Sequence, residues 1–401
     1  MTDHTKSGTE RKGAGFDRDA LEVGIRDQVR TWIELIVEEE VAAVLGAASS
    51  VRVAETRRGY RHGTRRRTLT TSLGPTTFAM PRARLFDAGG RTTEWRSATV
   101  TRYQRRTARV DEAILGVYLS GANSRRIRSA LAPLLQDGPL SKDAVSRLVG
   151  RLKDEFEQWR SRDLAAEQIR YLFLDGWYPK VRLGKRRVVV PVLVVLGVRA
   201  DGRKVLLDLR LAGDESTAAW RDTVSGLVTR HLGTPVFAGI DGSPGLRAAL
   251  REAWPTLAVQ RCTTHKLRNV LAKAPKRLRD ELAEDYRRMI YAETVTLVEQ
   301  ARQRFLRKWR LQCPAVVECL EEAGDELFTF LRFPRAQWKS LRTTNALERI
   351  NEEFRRRTKT QASLPSQDAV LLLLFGLLRS GQIRFRAIDG WQEMKATQEA
   401  A

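Results

Sequence analysis

Ile169-Arg-Tyr-Leu-Phe-Leu-Asp-Gly-Trp177 decides how this chain is read. It is an apolar, strand-like run that ends in a carboxylate followed by glycine. Pro235-Val-Phe-Ala-Gly-Ile-Asp-Gly242 repeats the pattern. Each Asp-Gly taken alone is ordinary turn chemistry. Two such strand ends become informative if the strands are neighbours in one sheet, because Asp175 and Asp241 then lie side by side.

Working outward from the first run, strands and helices alternate. Val188–Leu196 reads as a long buried strand and Lys204–Leu211 as a third, after a turn at Ala200-Asp-Gly202. Asp214 or Ser216 caps a helix through Trp220 and Leu227. Val236–Ile240 is the fourth strand, Leu246–Trp254 a helix, Leu257–Gln260 the fifth strand, and a helix follows from Thr264. Three hairpin-linked strands, then helix, strand, helix, strand, is the order of an α/β ribonuclease H-like core. Residues 276–335 are helical and charged and interrupt that core.

N-terminal to it, residues 18–46 carry helical periodicity over a wide apolar face, with Asp17 as a possible cap, so this helix packs on its own domain or on a second subunit. Thr68–Gly74 and Thr77–Met80 read as a hairpin with its turn at Gly74-Pro75. Around it stand Arg57, Arg58, Arg61, Arg65, Arg66 and Arg67, either a solvated face or a clamp for a DNA backbone. Residues 110–160 give three more helices, with caps at Asn123 or Ser124 and at Ser141 and a break at Asp137-Gly-Pro139. The helical hairpin fits a helix-turn-helix, with Arg147 and Arg151 on one side of the last helix.

The expected organisation is a disordered arm (1–17), an N-terminal helix with a basic β-unit for DNA binding or dimerisation (18–109), and a helix-turn-helix-like DNA-binding region (110–165). The core's first part (166–275), the helical insertion (276–335), the core's last helices with a third acid (336–390) and a flexible tail (391–401) complete it.

Composition sets the partner class. The 401 residues carry a formal net charge of +23 with 42% hydrophobic residues, a globular protein that attracts polyanions. Arginine far exceeds lysine, which suits bidentate phosphate contacts and equally suits a GC-rich genome. The N-terminus is polar and no apolar stretch reaches the roughly 20 residues a bilayer requires. Three cysteines do not make a disulfide framework, so a reducing, cytoplasmic setting beside the nucleoid is expected, with no membrane.

Carboxylates inside a basic protein point to a hard cation, Mg²⁺ or Mn²⁺, acting on nucleic-acid phosphates. Glu348 is the candidate third acid, although Asn345-Ala-Leu-Glu348 also fits a capping box. Glu352 lies one turn later, and Arg355, Arg356, Arg357 and Lys359 follow as candidate DNA contacts. Cys262-Thr-Thr-His265 allows half a zinc site, a Cys-His nucleophile, or a structural pair near the active site, with Lys266 and Arg268 beside it as phosphate contacts.

Phe173-Leu-Asp-Gly176, Gly239–Leu246, Gln260–Asn269, Thr343–Asn351 and Arg355–Lys359 together resemble the Mutator-type bacterial insertion-sequence transposases. Arg58–Gly63, Met80-Pro-Arg82 and Tyr118–Gly121 match more loosely, and the resemblance spans about residues 20–380. It implies a ribonuclease H-like fold with a helical insertion, and an Asp-Asp-Glu triad at Asp175, Asp241 and Glu348 that holds Mg²⁺ or Mn²⁺. It implies a Cys-x-x-His element at Cys262 and His265, and cleavage and joining of double-stranded DNA at terminal inverted repeats and target sites by a homodimer or larger assembly. The competing readings are a metal-dependent nuclease without strand transfer and an inactive DNA-binding protein.

Overall fold

The computed structural model describes residues 18–51, 57–87, 89–120, 124–136, 140–183, 185–213, 216–360, 364, 366–381 and 383–396. Asp17, Asn123, the break at 137–139 and Asp214 lie outside them. The chain forms two compact units, Met1–Tyr118 with Ala122–Leu148, and Leu119–Gly121 with Val149–Ala401.

In the first unit, helix α1 (Arg18–Leu45) packs on a three-stranded sheet ordered β1 (Gly59–Thr71), β2 (Gly74–Phe86), β3 (Thr92–Glu94). Val37, Val41 and Leu45, four apart on one helical face, meet Leu69, Phe78, Met80 and Trp95 in a common core. Only this half of the apolar face is covered within the unit; Leu21, Ile25, Trp32 and Ile36 are exposed.

The hairpin turn falls two residues earlier than Gly74-Pro75. Thr71 faces Gly74 across the ladder, and Ser72-Leu73 make the bend. The Thr71 hydroxyl accepts the Leu73 N–H and donates to the Gly74 carbonyl, which closes the turn. Gly74 stands at φ 102°, where a side chain is strained. Helices α2 (Ala108–Leu119), α3 (Ser124–Ala130), α4 (Ala132–Leu135) and α5 (Lys142–Ser161) follow. Ser141 caps α5 by accepting the Ala144 N–H at 3.1 Å.

The second unit is mixed α/β. Its five-stranded sheet runs β10 (Ala258–Arg261), β9 (Phe237–Ile240), β4 (Ile169–Trp177), β7 (Val192–Arg199), β8 (Lys204–Leu211). β4, β7 and β8 are antiparallel; β9 and β10 run parallel to β4. The expected single strand over 188–196 is two. Pro191 has no N–H for a ladder, and the chain divides there into β6 (Arg186–Val189), paired with β5 (Lys180–Leu183), and β7 in the main sheet.

Helices α6 (Thr217–Thr229), capped by Ser216, and α7 (Pro244–Ala253) cover one sheet face through Trp220, Val224, Leu246 and Leu250 against Leu172, Leu174 and Val195. Helices α8 (Thr263–Lys273), α9 (Arg279–Ile290), α10 (Val295–Gln312) and α11 (Pro314–Glu321) build a separate core around Tyr286, Phe305 and Trp309. The chain returns through α12 (Trp338–Leu341) to α13 (Asn345–Thr360), then α14 (Asp368–Arg379) and α15 (Glu393–Ala396). Leu347, Ile350 and Phe354 form the buried stripe of α13, each contributing about 1.5–3 kcal/mol of apolar burial. Phe354 meets Trp177 of β4 with ring centroids 5.4 Å apart, which seats α13 on the end of β4.

Candidate active site

The parallel ladder pairs Leu174 of β4 with Ile240 of β9, so the next residues, Asp175 still within β4 and Asp241 just past the end of β9, stand side by side. Strand alternation sends Leu172 and Leu174 to the α6–α7 face and Asp175 with Trp177 to the α13 face. Asp175 is buried. Asp241 is half-buried, and its Oδ1 accepts the Ser243 N–H at 2.9 Å. Gly242 sits at φ 113°, and a Cβ there would meet the Arg261 guanidinium at 2.7 Å. The turn chemistry at this Asp-Gly is therefore real, and it holds the carboxylate in place.

Glu348 lies in the first turn of α13, with its side chain 31% exposed and 3.6 Å from Arg268 on α8. The expected capping box is replaced. The Thr344 carbonyl receives the Leu347 and Glu348 N–H groups, so the helix begins one residue earlier than a box at Asn345 requires, and Glu348 turns to Arg268. Glu352 is exposed. Asn351, one turn beyond Glu348 and buried, donates from Nδ2 to Asp175 Oδ2 at 3.4 Å. Asn351 ends the Thr343–Asn351 stretch of the resemblance, but nothing local in the sequence gives its role, because its partner is 176 residues away.

Cys262 and His265 open α8 against this cluster. The Cys262 N–H donates to the Ile240 carbonyl at 2.7 Å, and Sγ accepts the Thr344 N–H at 3.4 Å. The Thr263 N–H reaches the Arg342 carbonyl at 2.9 Å. These bonds tie the starts of α8 and α13 together beside the end of β9. Burial pushes the Cys262 thiol up, but hydrogen bonding to His265 and Thr344 outweighs it and brings the thiol below its usual value. Hydrogen bonding with Cys262 pushes His265 up to about 9 against the opposing effect of burial, aided by the charges of Cys262, Asp175 and Asp241. The imidazole thus lies in the field of both aspartates.

Among the described residues, no three His, Cys, Asp or Glu side chains already converge on a point that would hold one ion. The donor set nonetheless fits a hard divalent cation: Asp175 and Asp241 are adjacent by register, and Glu348 rides the helix bonded to Asp175 through Asn351. Buried polar atoms without a protein partner among the described residues, Asn351 Oδ1, Thr344 Oγ1 and His265 Nδ1, sit on the same elements. Such atoms call for water or a hydrated ion. Cys313 and Cys319 belong to the insertion, where they pack against its core.

The candidate phosphate contacts divide. Arg57, Arg58, Arg65 and Arg66 are exposed. Arg61 is drawn inward to Glu38 at 2.7 Å and to the Ala47 carbonyl. Arg67 donates to the carbonyls of Val100, Thr101 and Gln104, so it braces the loop after β3. Arg65 and Arg67 join Arg82, Arg96 and Arg102, with Glu94, around a cavity of about 280 Å³. The last three arginines are scattered in sequence and become neighbours only through the hairpin.

Arg147 and Arg151 lie on the exposed side of α5, opposite Leu148 and Leu152. Lys266 does not face solvent: it is 2% exposed and bonds Glu322 and the Cys319 carbonyl. Arg261 and then Lys266 hold the Glu322 carboxyl down to about 2, so both cations beside this helix start are engaged internally by one carboxylate. Arg268 is exposed apart from its pairing with Glu348, and Arg355 and Arg356 are exposed, Arg356 beside Glu353 at 2.6 Å. The side chains of Arg357 and Lys359 lie outside the described set. No described helix is long and apolar enough to cross a membrane.

The family described as "Transposase, Mutator family" matches residues 3–387. The transposase for insertion sequence element ISRM5 of Rhizobium meliloti is 33% identical over 88% of this chain and 86% of its own. That for IS406 of Burkholderia multivorans is 33% identical over 88% and 89%. That for IS1081 of Mycobacterium tuberculosis is 30% identical over 88% and 83%. With the match running almost the length of the sequence, the chain belongs to the Mutator family of transposases.

Proposed function

We propose that this protein is an insertion-sequence transposase that cuts and joins DNA with Asp175, Asp241 and Glu348. The observation that carries the reading is the register of β4 and β9, neighbouring inner strands, which brings two aspartates side by side where Asn351 ties in the helix bearing Glu348. The relatives' names, transposases of insertion sequences, support the reaction class. The strand order, three antiparallel strands followed by two parallel ones, supports the ribonuclease H-like assignment.

Asp175, Asp241 and Glu348 would hold Mg²⁺ or Mn²⁺, which supplies Lewis acidity toward the phosphate and the attacking hydroxyl. The chain's own groups do the rest. The Asp241 turn and the Asn351 amide orient the two aspartates. His265, pushed upward by its bond with Cys262, would offset part of their charge and offer a donor to a DNA phosphate. Arg65, Arg82, Arg96 and Arg102 form a basic surface on the N-terminal unit for terminal inverted repeats, and Arg66, Arg147, Arg151, Arg355 and Arg356 add phosphate contacts elsewhere. The assembly on DNA is a homodimer or higher homo-oligomer.

The test is a nicking and strand-transfer assay on labelled element-end DNA with Mg²⁺. Asp175→Ala, Asp241→Ala and Glu348→Ala should each abolish both steps and retain DNA binding, while Glu352→Ala, on an exposed position, stays active. An inactive Glu352→Ala beside an active Glu348→Ala would move the third acid by one turn. Cleavage without joining to a 3′-hydroxyl end would make the protein a nuclease.

A further inference from the structure

We propose that Asn351 is a positioning residue of the cation site: its Nδ2–H holds Asp175 Oδ2, and its Oδ1 accepts a hydrogen bond from water in the shell of a divalent cation. The inference rests on the reading of Asp175, Asp241 and Glu348 as the cation's carboxylates.

Asn351 is 7% exposed, and Nδ2 lies 3.4 Å from Asp175 Oδ2. This is the only sensible orientation of the amide, because the reverse would set a carbonyl oxygen against a carboxylate. Oδ1 is buried and has no partner among the described residues. An acceptor left so costs about 1–3 kcal/mol relative to one that is satisfied. Seating α13 does not require it. Leu347, Ile350 and Phe354 already bury the helix, and Phe354 packs at a tilt against Trp177. A leucine at 351 would extend that apolar stripe, whereas the asparagine there points at a carboxylate.

Chemistry selects the amide over its relatives. Asp at 351 would bring another negative charge to Asp175 and lose the donor. Ser would be too short to span both partners. Asn offers a donor to the carboxylate and an acceptor on the same planar group, an amide that Gln would carry one methylene further out. Mg²⁺ and Mn²⁺ sites with few protein carboxylates keep several waters, whose hydrogens need acceptors of this kind. Residues that orient ligands in this way change metal affinity by about 10–100-fold when removed.

The experiment measures Mn²⁺ binding to the full-length protein by calorimetry and by electron paramagnetic resonance, with melting temperature recorded in parallel. Asn351→Leu should remain folded, melt within a few degrees of the parent protein, and bind Mn²⁺ about tenfold more weakly. The Mn²⁺ concentration for half-maximal nicking should rise by a similar factor, with the plateau rate recovered at high Mn²⁺; a purely structural defect would lower the plateau and leave the metal dependence alone. If Asn351→Leu does not fold, Asn351→Ser is read by the same criteria. Asp241→Asn is the control. Weak Mn²⁺ binding by Asp241→Asn with normal binding by the Asn351 variant overturns the role of Asn351 alone. Normal binding by both overturns the carboxylate reading beneath it.

Discussion

Cys262→Ala tests how Glu348, the proposed third acid, is held. Cys262 is 1% exposed, and its sulfur is the acceptor for the N–H of Thr344, itself fully buried at the start of α13. Removing the sulfur orphans that amide, at about 1–3 kcal/mol. It also vacates space next to Ile240 and Thr344, adding roughly 1 kcal/mol. The cost is local, because the Thr263–Arg342 bond still joins the two helix starts. Opening of the Thr344–Glu348 segment should therefore become easier, and its amides should exchange on the order of 30–1,000-fold faster in hydrogen-exchange mass spectrometry. Nicking should fall, since Glu348 lies in the loosened turn. Cys262→Ser keeps an acceptor, so it should exchange nearly as the parent does and retain part of the activity. Unchanged exchange in Cys262→Ala would refute the tie between α8 and α13. A folded Cys262→Ser as dead as Asp241→Ala would refute it differently, by assigning the thiol a chemical role.

Other outcomes follow from the same structure. Arg65→Ala should lower the slope of log affinity against log salt for end DNA by about one phosphate contact, measured by fluorescence anisotropy; Arg67→Ala should instead lower the melting temperature, because Arg67 serves three carbonyls. Asp208 is wholly buried and bonds Arg210 at 2.9 Å and Arg230 at 3.2 Å, so Asp208→Ala leaves two guanidinium groups facing each other and should cost about 3–5 kcal/mol in urea unfolding. His265 is raised from 6.5 to about 9, so the stability it contributes is full below pH 6.5 and is lost as pH climbs through about 9. NMR titration of its ring should find it protonated at pH 7.5, and Cys262→Ser should bring its titration back toward the usual range; a ring already neutral at pH 7.5 in the parent would contradict the assignment.

Much of the core was legible from apolar runs and their stops. The strands at Ile169–Trp177 and Lys204–Leu211 stand where the pattern puts them, and Ser216 and Ser141 cap the helices they precede. Partner choice was not legible. Val188 and Val189 look like the start of β7, yet they pair with β5, because a missing N–H at Pro191 frees them to do so. Local composition likewise groups Arg61, Arg67 and Lys266 with the solvent-facing cations. Their fates depend on Glu38, on the 100–104 carbonyls and on Glu322, all distant in sequence. Asn351 closes the Thr343–Asn351 stretch that carries the resemblance, but its partner was hidden for the same reason: a polar residue on a charged helix acquires meaning only when the helix is laid across β4.

The ladder between β4 and β9 carries a consequence for accuracy. Adjacent strands keep a pitch of about 4.8 Å, close to the roughly 3.5–4 Å between paired catalytic ions. Asp175 and Asp241 share that one frame, so side-chain changes elsewhere leave their spacing almost untouched. Glu348 belongs to a second frame. The chain leaves the sheet after β10, passes through helices with a core of their own, and returns at Asn345. Errors of placement accumulate along such a detour. Substitutions that cripple the enzyme without touching an acid should therefore gather in α8–α12, where they displace one carboxylate and spare the other two.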